Sequence, residues 1–588
     1  MSRILVMEAV VDVLESEGID TVFGIPGAAI LPLYAALARR SETIRHLTMR
    51  HEEAGTHAAD AWARATGKVG VCIGTSGPAG TNMVTGLYTA QADSVPILCI
   101  TGQAVSAKLH QEPFQGVDIV SIVRPVTKWA VQVREAAQAP WIFREAFRVA
   151  QSGRPGPVLI DLPLDVAKST IEWDRTIDRP LEVHRVTPNP VRVERALQLM
   201  LQAERPLLLA GGGVILAGAA PELRELAERT GIPVQVTLMG KGAFPEDHPL
   251  FAGMTGIQTT QRFGNASFLE ADLVVAVGAR FADRHTGDLN IYRGARRFVQ
   301  VDVDATQIGR VFPSDLGVVS DAKLFLAELC RLADGQGVVG RWPTWVERVG
   351  ELRETLVRRD DFDDVPIKAP RVFREVNEVF GRNSTFVTAI GLYQIWSGQF
   401  QKVYRPGQYL VCGQAGPLGW EVPAAIGVKT AKPDEHVVAV VGDYSFQFLM
   451  EEVAVAAQYG VPFVIVMLNN GYLGLIRQAE ISYSMNFGVD ISFDDIGVDH
   501  VQLMQSFGCP ARRITEPGLI AETLEWARAE SERLKRPALV EVMIEREANA
   551  AMGTSIDAIV EYEPIPELAS ALATSATEQL SNTVDRSS

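Results

Sequence analysis

Cysteine is scarce, a basic surplus is missing, and no apolar run is long enough to cross a bilayer. The five cysteines, Cys72, Cys99, Cys330, Cys412 and Cys509, are odd in number and form no CxxC pair. That speaks against a disulfide framework or a zinc site and fits a cytoplasmic location. Lys and Arg number 55 against 71 Asp and Glu, a net charge of −16, so the chain offers no footprint for a phosphate backbone and no nucleic acid partner is expected. The longest uncharged apolar stretch, Pro206 to Pro221, falls short of a membrane span and is broken by Gly211-Gly212-Gly213, so no membrane partner is expected either. The opening MSRILVMEAVVDVLESEGID reads as an amphipathic helix carrying acidic residues, unlike an export signal. Short-period repeats are absent.

What the chain has is enough apolar residue to fill several cores. With 588 residues, 47% of them hydrophobic, it is long enough for about three domains. Glycine (50) and proline (32) are at ordinary levels, which excludes a collagen-like chain, as the apolar content excludes a disordered one.

Short apolar runs bounded by glycine alternate with amphipathic stretches, the pattern of buried parallel strands and crossover helices. In the first third the runs are Thr21–Gly24, Val69–Gly74, Ile97–Gly102 and Val158–Leu162. Residues 167–192 are polar and proline-bearing and read as a linker. A second set follows at Pro206–Ala210, Pro233–Thr237, Leu273–Val277 and Phe298–Val303. After a helix and second linker over 333–370 comes a third set: Thr385–Thr388, Tyr409–Val411, Val437–Val441, Phe463–Leu468 and Ala538–Ile544. The expectation is an α/β fold of three doubly wound parallel-sheet domains in series, at 1–166, 193–332 and 371–550. A C-terminal segment over 551–588 follows, with a tail expected to be mobile from about Ser570.

The chemistry concentrates in VVAVVGDYSFQFLMEEVAVAAQYGVPFVIVMLNNGYLG. One strand ends at Gly442-Asp443, a helix follows, and a second strand ends at Asn469-Asn470. Both polar pairs then fall at carboxyl ends of parallel strands, where open α/β sheets bind ligands. Asp443 and Asn470 offer hard oxygens, and the Tyr472 carbonyl lies just beyond. Magnesium takes about six oxygens and commonly one or two carboxylates plus phosphate, so this set implies a phosphate-bearing ligand. Taken singly, either pair reads equally as a helix cap or a turn.

The spacing resembles the thiamine-diphosphate motif, which opens Gly-Asp-Gly and closes Asn-Asn; here Tyr444 stands at the third position. Phe23-Gly24-Ile25-Pro26-Gly27, Arg50-His51-Glu52, Gly74-Thr75-Ser76-Gly77-Pro78, Thr101-Gly102-Gln103 and Arg154-Pro155-Gly156-Pro157 resemble the pyrimidine-binding domain of the acetohydroxyacid synthase group, and residues 205–325 its central domain. The resemblance implies thiamine diphosphate held by Gly391, Gly416, Leu418, Gly442, Asp443, Tyr444, Ser445 and Asn470, with magnesium on Asp443, Asn470 and Tyr472. Leu418 would keep the cofactor in its V shape. Glu52 alone reads as a first-turn glutamate favoured by the helix dipole. By resemblance it is the catalytic glutamate on N1′ of the aminopyrimidine, where a carboxyl in an apolar cleft shares a proton and lets the neighbouring amine remove the thiazolium C2 proton.

In the middle domain the resemblance implies FAD, held by Gly211, Gly212, Gly213, Thr237, Leu238, Met239, Gly278, Arg280, Asp302 and Asp321, with Arg154 added from the first domain. Glycine turns after strands let backbone approach a pyrophosphate, and an acidic residue accepts from ribose hydroxyls. No redox partner for the flavin is apparent in the sequence, so it reads as structural.

Two departures argue against acetolactate synthesis. Leu164 replaces a lysine of those synthases, and Ala479 replaces the tryptophan that selects their second ketoacid. Arg284-His285-Thr286-Gly287, Thr388-Ala389-Ile390-Gly391-Leu392, Gly413 to Trp420 and Leu473 to Gln478 are instead similar to the glyoxylate carboligase family (tartronate-semialdehyde synthases). The implied reaction joins two glyoxylates with loss of carbon dioxide to give 2-hydroxy-3-oxopropanoate. Glu52 departs from that family, which has valine there. An acetolactate synthase or another 2-oxoacid decarboxylase is the alternative enzyme; a catalytically silent FAD- or nucleotide-binding subunit is the alternative of another class. The resemblance further implies a 2-oxoacid substrate and a homo-oligomer, dimer or tetramer, with Glu52 and Asp443 brought to one cofactor by different subunits.

Overall fold

The computed structural model describes residues 2–485, 489–491, 499–547 and 549–561. It contains three six-stranded sheets, every strand pair parallel. The first is built from β1 (Thr21–Gly24), β2 (Arg45–Thr48), β3 (Gly70–Gly74), β4 (Ile97–Gln103), β5 (Trp129–Gln132) and β6 (Val158–Pro163), in the order β2-β1-β3-β4-β6-β5. The second takes β7 (Pro206–Ala210), β8 (Val234–Val236), β9 (Phe251–Met254), β10 (Leu273–Val277), β11 (Arg297–Asp302) and β12 (Leu316–Val319), in the order β9-β8-β7-β10-β11-β12. The third takes β13 (Ser384–Thr388), β14 (Tyr409–Val411), β15 (His436–Gly442), β16 (Val464–Asn469), β17 (Ala511–Ile514) and β18 (Ala538–Met543), in the order β14-β13-β15-β16-β18-β17. The outer two sheets therefore share one winding. The middle one has the dinucleotide-binding order.

Five helices bear on the site: α1 (Glu52–Thr66), α2 (Ala322–Gly335), α3 (Glu421–Ala431), α4 (Asp443–Phe446) and α5 (Glu452–Tyr459). The chain divides into two compact units. One holds Met1–Thr187, Asp361–Gln394 and Lys402–Arg546, and so both outer sheets. One apolar core joins the two sheets, from Phe23, Trp62 and Cys72 to Trp420, Val441 and Ile465, and a second, around Val10, Ile100 and Phe143, lies on the first sheet. α1 and α3 meet through small residues, Ala54, Ala58 and Ala59 against Ala424 and Ala425. They pack so closely that a Cβ at Gly427 would strike the Ala58 carbonyl group. The other unit holds Pro188–Asp360, Ile395–Gln401 and Glu547–Ser588, with its own core around Leu207, Leu208, Val275 and Val299.

The three-sheet α/β architecture expected from the sequence is present, with differences in detail. The opening helix begins only at Val6; Ser2–Leu5 is a strand that pairs antiparallel with Thr170–Trp173, inside the stretch read as linker. The two partners lie so far apart in the chain that no local pattern marks either. Strands β2, β5, β9, β12 and β17 were not expected. Among the described residues no helix is long and apolar enough to cross a membrane. The tail from Ser570 lies outside them.

Candidate active site

The third sheet reverses its winding between β13 and β15, and the polar motif opens there. Gly391 follows β13, while Gly442 ends β15 and Asp443 begins α4. A crevice outside the carboxyl ends at such a point is where open sheets bind ligands. Asp443 is only 2% exposed. The Gly471 N–H donates at 3.0 Å to both Asp443 Oδ2 and Asn469 Oδ1. Burial pushes the Asp443 carboxyl up to about 6, against the pull of the Gly471 and Tyr444 N–H groups and of His500.

The two asparagines divide their tasks. Asn469 is anchored: its Nδ2 donates to Glu541 Oε1 at 2.8 Å, and Glu541 also pairs with His500 and Arg513. Asn470 Oδ1 accepts a long bond, 3.4 Å, from the Tyr472 N–H. The Tyr472 ring lies 4.2 Å from the Arg546 guanidinium. Nearby, the Thr388 Oγ1 at the end of β13 is buried with no hydrogen-bond partner among the described residues. One carboxylate, one amide oxygen and an orphan hydroxyl suit a cation that arrives already bound to phosphate. Among the described residues no group of three His, Cys, Asp or Glu side chains could cage a metal unaided.

The departure at Tyr444 has a local explanation. The residue lies in the first turn of α4, in helical backbone that needs no glycine, and its half-buried ring packs edge-on against Phe448. Leu418 is half-buried in a loop bent by Gly416 and Gly419, whose φ values of +59° and +83° disfavour other residues.

In the first sheet the winding reverses between β1 and β3, and Glu52 belongs to that end. His51 caps α1, with its Nδ1 accepting from the Glu53 N–H at 3.2 Å. Glu52, the first helical residue, is 8% exposed, unlike an ordinary surface glutamate. Asn82 Nδ2 donates to Glu52 Oε2 at 2.9 Å. A Cβ at Gly74 would lie 3.5 Å from Glu52 Cγ, so the glycine loop after β3 runs beside the carboxylate. In the same loop Thr75 Oγ1 is buried with no hydrogen-bond partner among the described residues.

In the second unit the glycine triplet follows β7 and Gly278 follows β10, again at the reversal. A Cβ at Gly213 would stand 2.7 Å from Gly278 Cα, and one at Gly212 would stand 3.1 Å from Met239 Cβ. Gly211–Gly213, Met239 and Gly278 are thus brought together, and Thr237 Oγ1 accepts from the Gly240 N–H at 3.2 Å to hold the turn through Leu238 and Met239. Arg280 is half-buried just beyond Gly278. Asp302 ends β11 and accepts from the Asp304 N–H at 2.9 Å. Asp321 caps α2 through the N–H groups of Lys323 and Leu324. Arg154 belongs to the first unit, where it donates to Ser94 Oγ at 2.7 Å and to the Ala92 carbonyl.

Three residues near these crevices carry no motif mark. Asn82 orients Glu52, and Glu541 fixes Asn469. Glu452 Oε1 accepts the Arg50 and His51 N–H groups at 2.9 and 3.0 Å, holding the segment that delivers Glu52. Burial pushes its carboxyl up to about 8 despite those donors. Only Glu541 carried a signal, an isolated glutamate inside the apolar run ALVEVM.

The chain matches known proteins over nearly its whole length. Residues 5–122 match the thiamine pyrophosphate enzyme N-terminal TPP binding domain, 193–329 the central domain and 389–542 the C-terminal TPP binding domain. A glyoxylate carboligase of Escherichia coli O157:H7 is 48% identical over 579 residues, 96% of this chain and 98% of the relative. A probable acetolactate synthase large subunit of Methanocaldococcus jannaschii is 38% identical over 549 residues, 92% of this chain and 91% of the relative. An acetolactate synthase of Mycobacterium bovis is 36% identical over 567 residues, 94% and 90% respectively.

Proposed function

The chain belongs to the thiamine pyrophosphate enzyme family, and we propose that within it this enzyme joins two molecules of glyoxylate, with loss of carbon dioxide, to give 2-hydroxy-3-oxopropanoate. The observation that carries the reading is the 48% identity to a glyoxylate carboligase, against 36–38% to the acetolactate synthases. Leu164 and Ala479 agree with it, since both lack what acetolactate synthesis is expected to need. Thiamine diphosphate, when bound, supplies a carbon nucleophile for the keto group and a sink for the electron pair that carbon dioxide leaves behind. Residues 1–166 hold its pyrimidine, with Glu52 placing a proton at N1′ and Asn82 keeping the carboxylate aimed. Residues 371–550 hold its diphosphate, with Asp443, Asn470 and the Tyr472 carbonyl on magnesium. Leu418 would shape the bound cofactor, and Gly391, Gly416, Gly442, Tyr444 and Ser445 would help to hold it. Carbon dioxide release from glyoxylate and from pyruvate, assayed side by side, tests the reading: pyruvate preference would overturn it.

Glu52 favours a second reading. It replaces the valine of the glyoxylate carboligases, and a proton-bearing neighbour suits an acetolactate synthase or plain 2-oxoacid decarboxylase.

We also assign FAD to the crevice of the second sheet, with the glycine triplet, Thr237–Met239, Gly278, Arg280, Asp302 and Asp321 holding it, and no redox role. The purified protein should be yellow, release flavin on acid treatment, and keep its flavin oxidised through turnover. A colourless active enzyme would remove the assignment.

The enzyme is read as cytoplasmic and as at least a dimer, a dimer of dimers fitting best, with Glu52 and Asp443 of each site coming from different copies. Sedimentation should give a dimer or larger at catalytic concentrations; an active monomer would refute this arrangement.

A further inference from the structure

Glu421 is a buried acid that no motif of the reaction uses. It opens α3 directly after the loop that carries Leu418, and it is 1% exposed. Two hydroxyl groups converge on it. Tyr393 Oη donates to Glu421 Oε1, and Ser445 Oγ lies 3.0 and 3.1 Å from the two carboxylate oxygens. Ser445 Oγ in turn accepts from the Gly419 N–H at 2.9 Å. The Tyr393 ring is the floor of two glycine positions: a Cβ at Gly442 would stand 2.7 Å from its Cε1, and one at Gly391 would also strike it.

Three loops thereby hang on one carboxyl group. The loop after β13 carries Gly391 and is held through the Tyr393 ring. The loop after β14 carries Leu418 and is held through the Gly419 N–H. The loop after β15 carries Gly442 and Asp443 and is held through Ser445 and, again, through the ring. A carboxylate suits this place because it can accept from both hydroxyls at once, whereas an amide offers one oxygen and an NH2 group that Ser445, already accepting from Gly419, is badly placed to meet. With Glu421 nearly sealed from water, each lost bond leaves a polar group that solvent cannot satisfy.

We propose that Glu421 is the positioning residue of the cofactor cradle, fixing the spacing between Leu418 on one side and Gly442-Asp443 on the other through Ser445 and Tyr393. The inference rests on the thiamine-diphosphate reading of those loops. Its test is equilibrium binding of thiamine diphosphate with magnesium to the cofactor-free full chain, followed by protein fluorescence, for the parent, Glu421→Gln, Glu421→Ala and Tyr393→Phe. Glu421→Ala should weaken cofactor binding about 10–100-fold, Glu421→Gln and Tyr393→Phe less. The substrate KM at saturating cofactor should stay within about twofold of the parent in all three, since the tie reaches the cofactor and not the substrate. In the Glu421→Ala background, Tyr393→Phe should add nothing, because Tyr393 acts through Glu421.

Unchanged cofactor affinity in folded Glu421→Ala overturns the proposal, as does an additive effect of Tyr393→Phe in that background. If Glu421→Ala fails to fold, the affinities of Glu421→Gln and Tyr393→Phe decide in its place: weakened binding in both supports the tie, and parental binding in both refutes it. A parent chain that binds no thiamine diphosphate at all would instead sink the cofactor reading on which the proposal stands.

Discussion

Asp443→Ala should lose turnover by on the order of 10³-fold, because a metal's charge stabilisation is worth several kcal/mol and each 1.36 kcal/mol is tenfold. Among the described residues nothing in the motif replaces it. Asn470 and the Tyr472 carbonyl are neutral, and the buried acids Glu541 and Glu421 are committed, the first to Asn469, His500 and Arg513 and the second to Tyr393 and Ser445. Alanine also removes one of the two acceptors of the Gly471 N–H, leaving only Asn469 Oδ1, so a fold defect would mimic a metal defect. Asp443→Asn separates the two. Its amide oxygen still accepts from Gly471, while the charge is gone, so it should melt within a few degrees of the parent yet fail at limiting magnesium. Full activity of either variant at limiting magnesium would show that the Gly442-Asp443 pair is a cap and nothing more.

Glu52→Gln should slow cofactor activation about 10²–10⁴-fold, the usual worth of a general acid–base group. Asn82 donates to Glu52 Oε2, and glutamine can present its own oxygen to that donor, so shape and cofactor affinity should survive while the proton is lost. Hydrogen–deuterium exchange at the cofactor C2 reads this step directly. Glu52→Val removes the proton route as well, but it should harm the ligation of glyoxylate less than any reaction whose carbanion must be protonated. Ligation consumes the carbanion at carbon and needs no proton there. The ratio of ligated to merely decarboxylated product should therefore rise. Exchange unchanged in Glu52→Gln would reduce Glu52 to a structural carboxylate, and an unchanged product ratio in Glu52→Val would end its claim to steer the outcome.

The strands that the sequence marks and those it hides differ by position in the sheet. Central strands such as β3, β7, β10 and β15 are buried on both faces and read as unbroken apolar runs. The five unexpected strands, β2, β5, β9, β12 and β17, all lie at sheet edges. Edge strands are short and most are partly solvated: Ala511–Ile514 exposes its two central arginines, Arg512 and Arg513, and Trp129–Gln132 is half-buried throughout, although Phe251–Met254 is buried. The polar ends Gly442-Asp443 and Asn469-Asn470 were legible because they follow legible strands. Glu421 and Glu452 were not, since each meets its partners only across folded loops distant in the chain. Asn82 escaped for the same reason, its partner being thirty residues away on another element.

The close seating of α1 against α3 also sets a clock on the chain's synthesis. The apolar face of α1 is complete at residue 66, yet the helix that covers it begins at residue 421. At about 5–20 residues per second, a ribosome needs roughly 20–70 s to bridge that gap. Throughout it the first sheet stands on the ribosome with Ala54, Ala58 and Trp62 facing water, while the second unit, whose main core lies within Pro188 to Asp360, can already close that core. The newborn chain is therefore exposed to wrong pairing longest at its earliest-made domain.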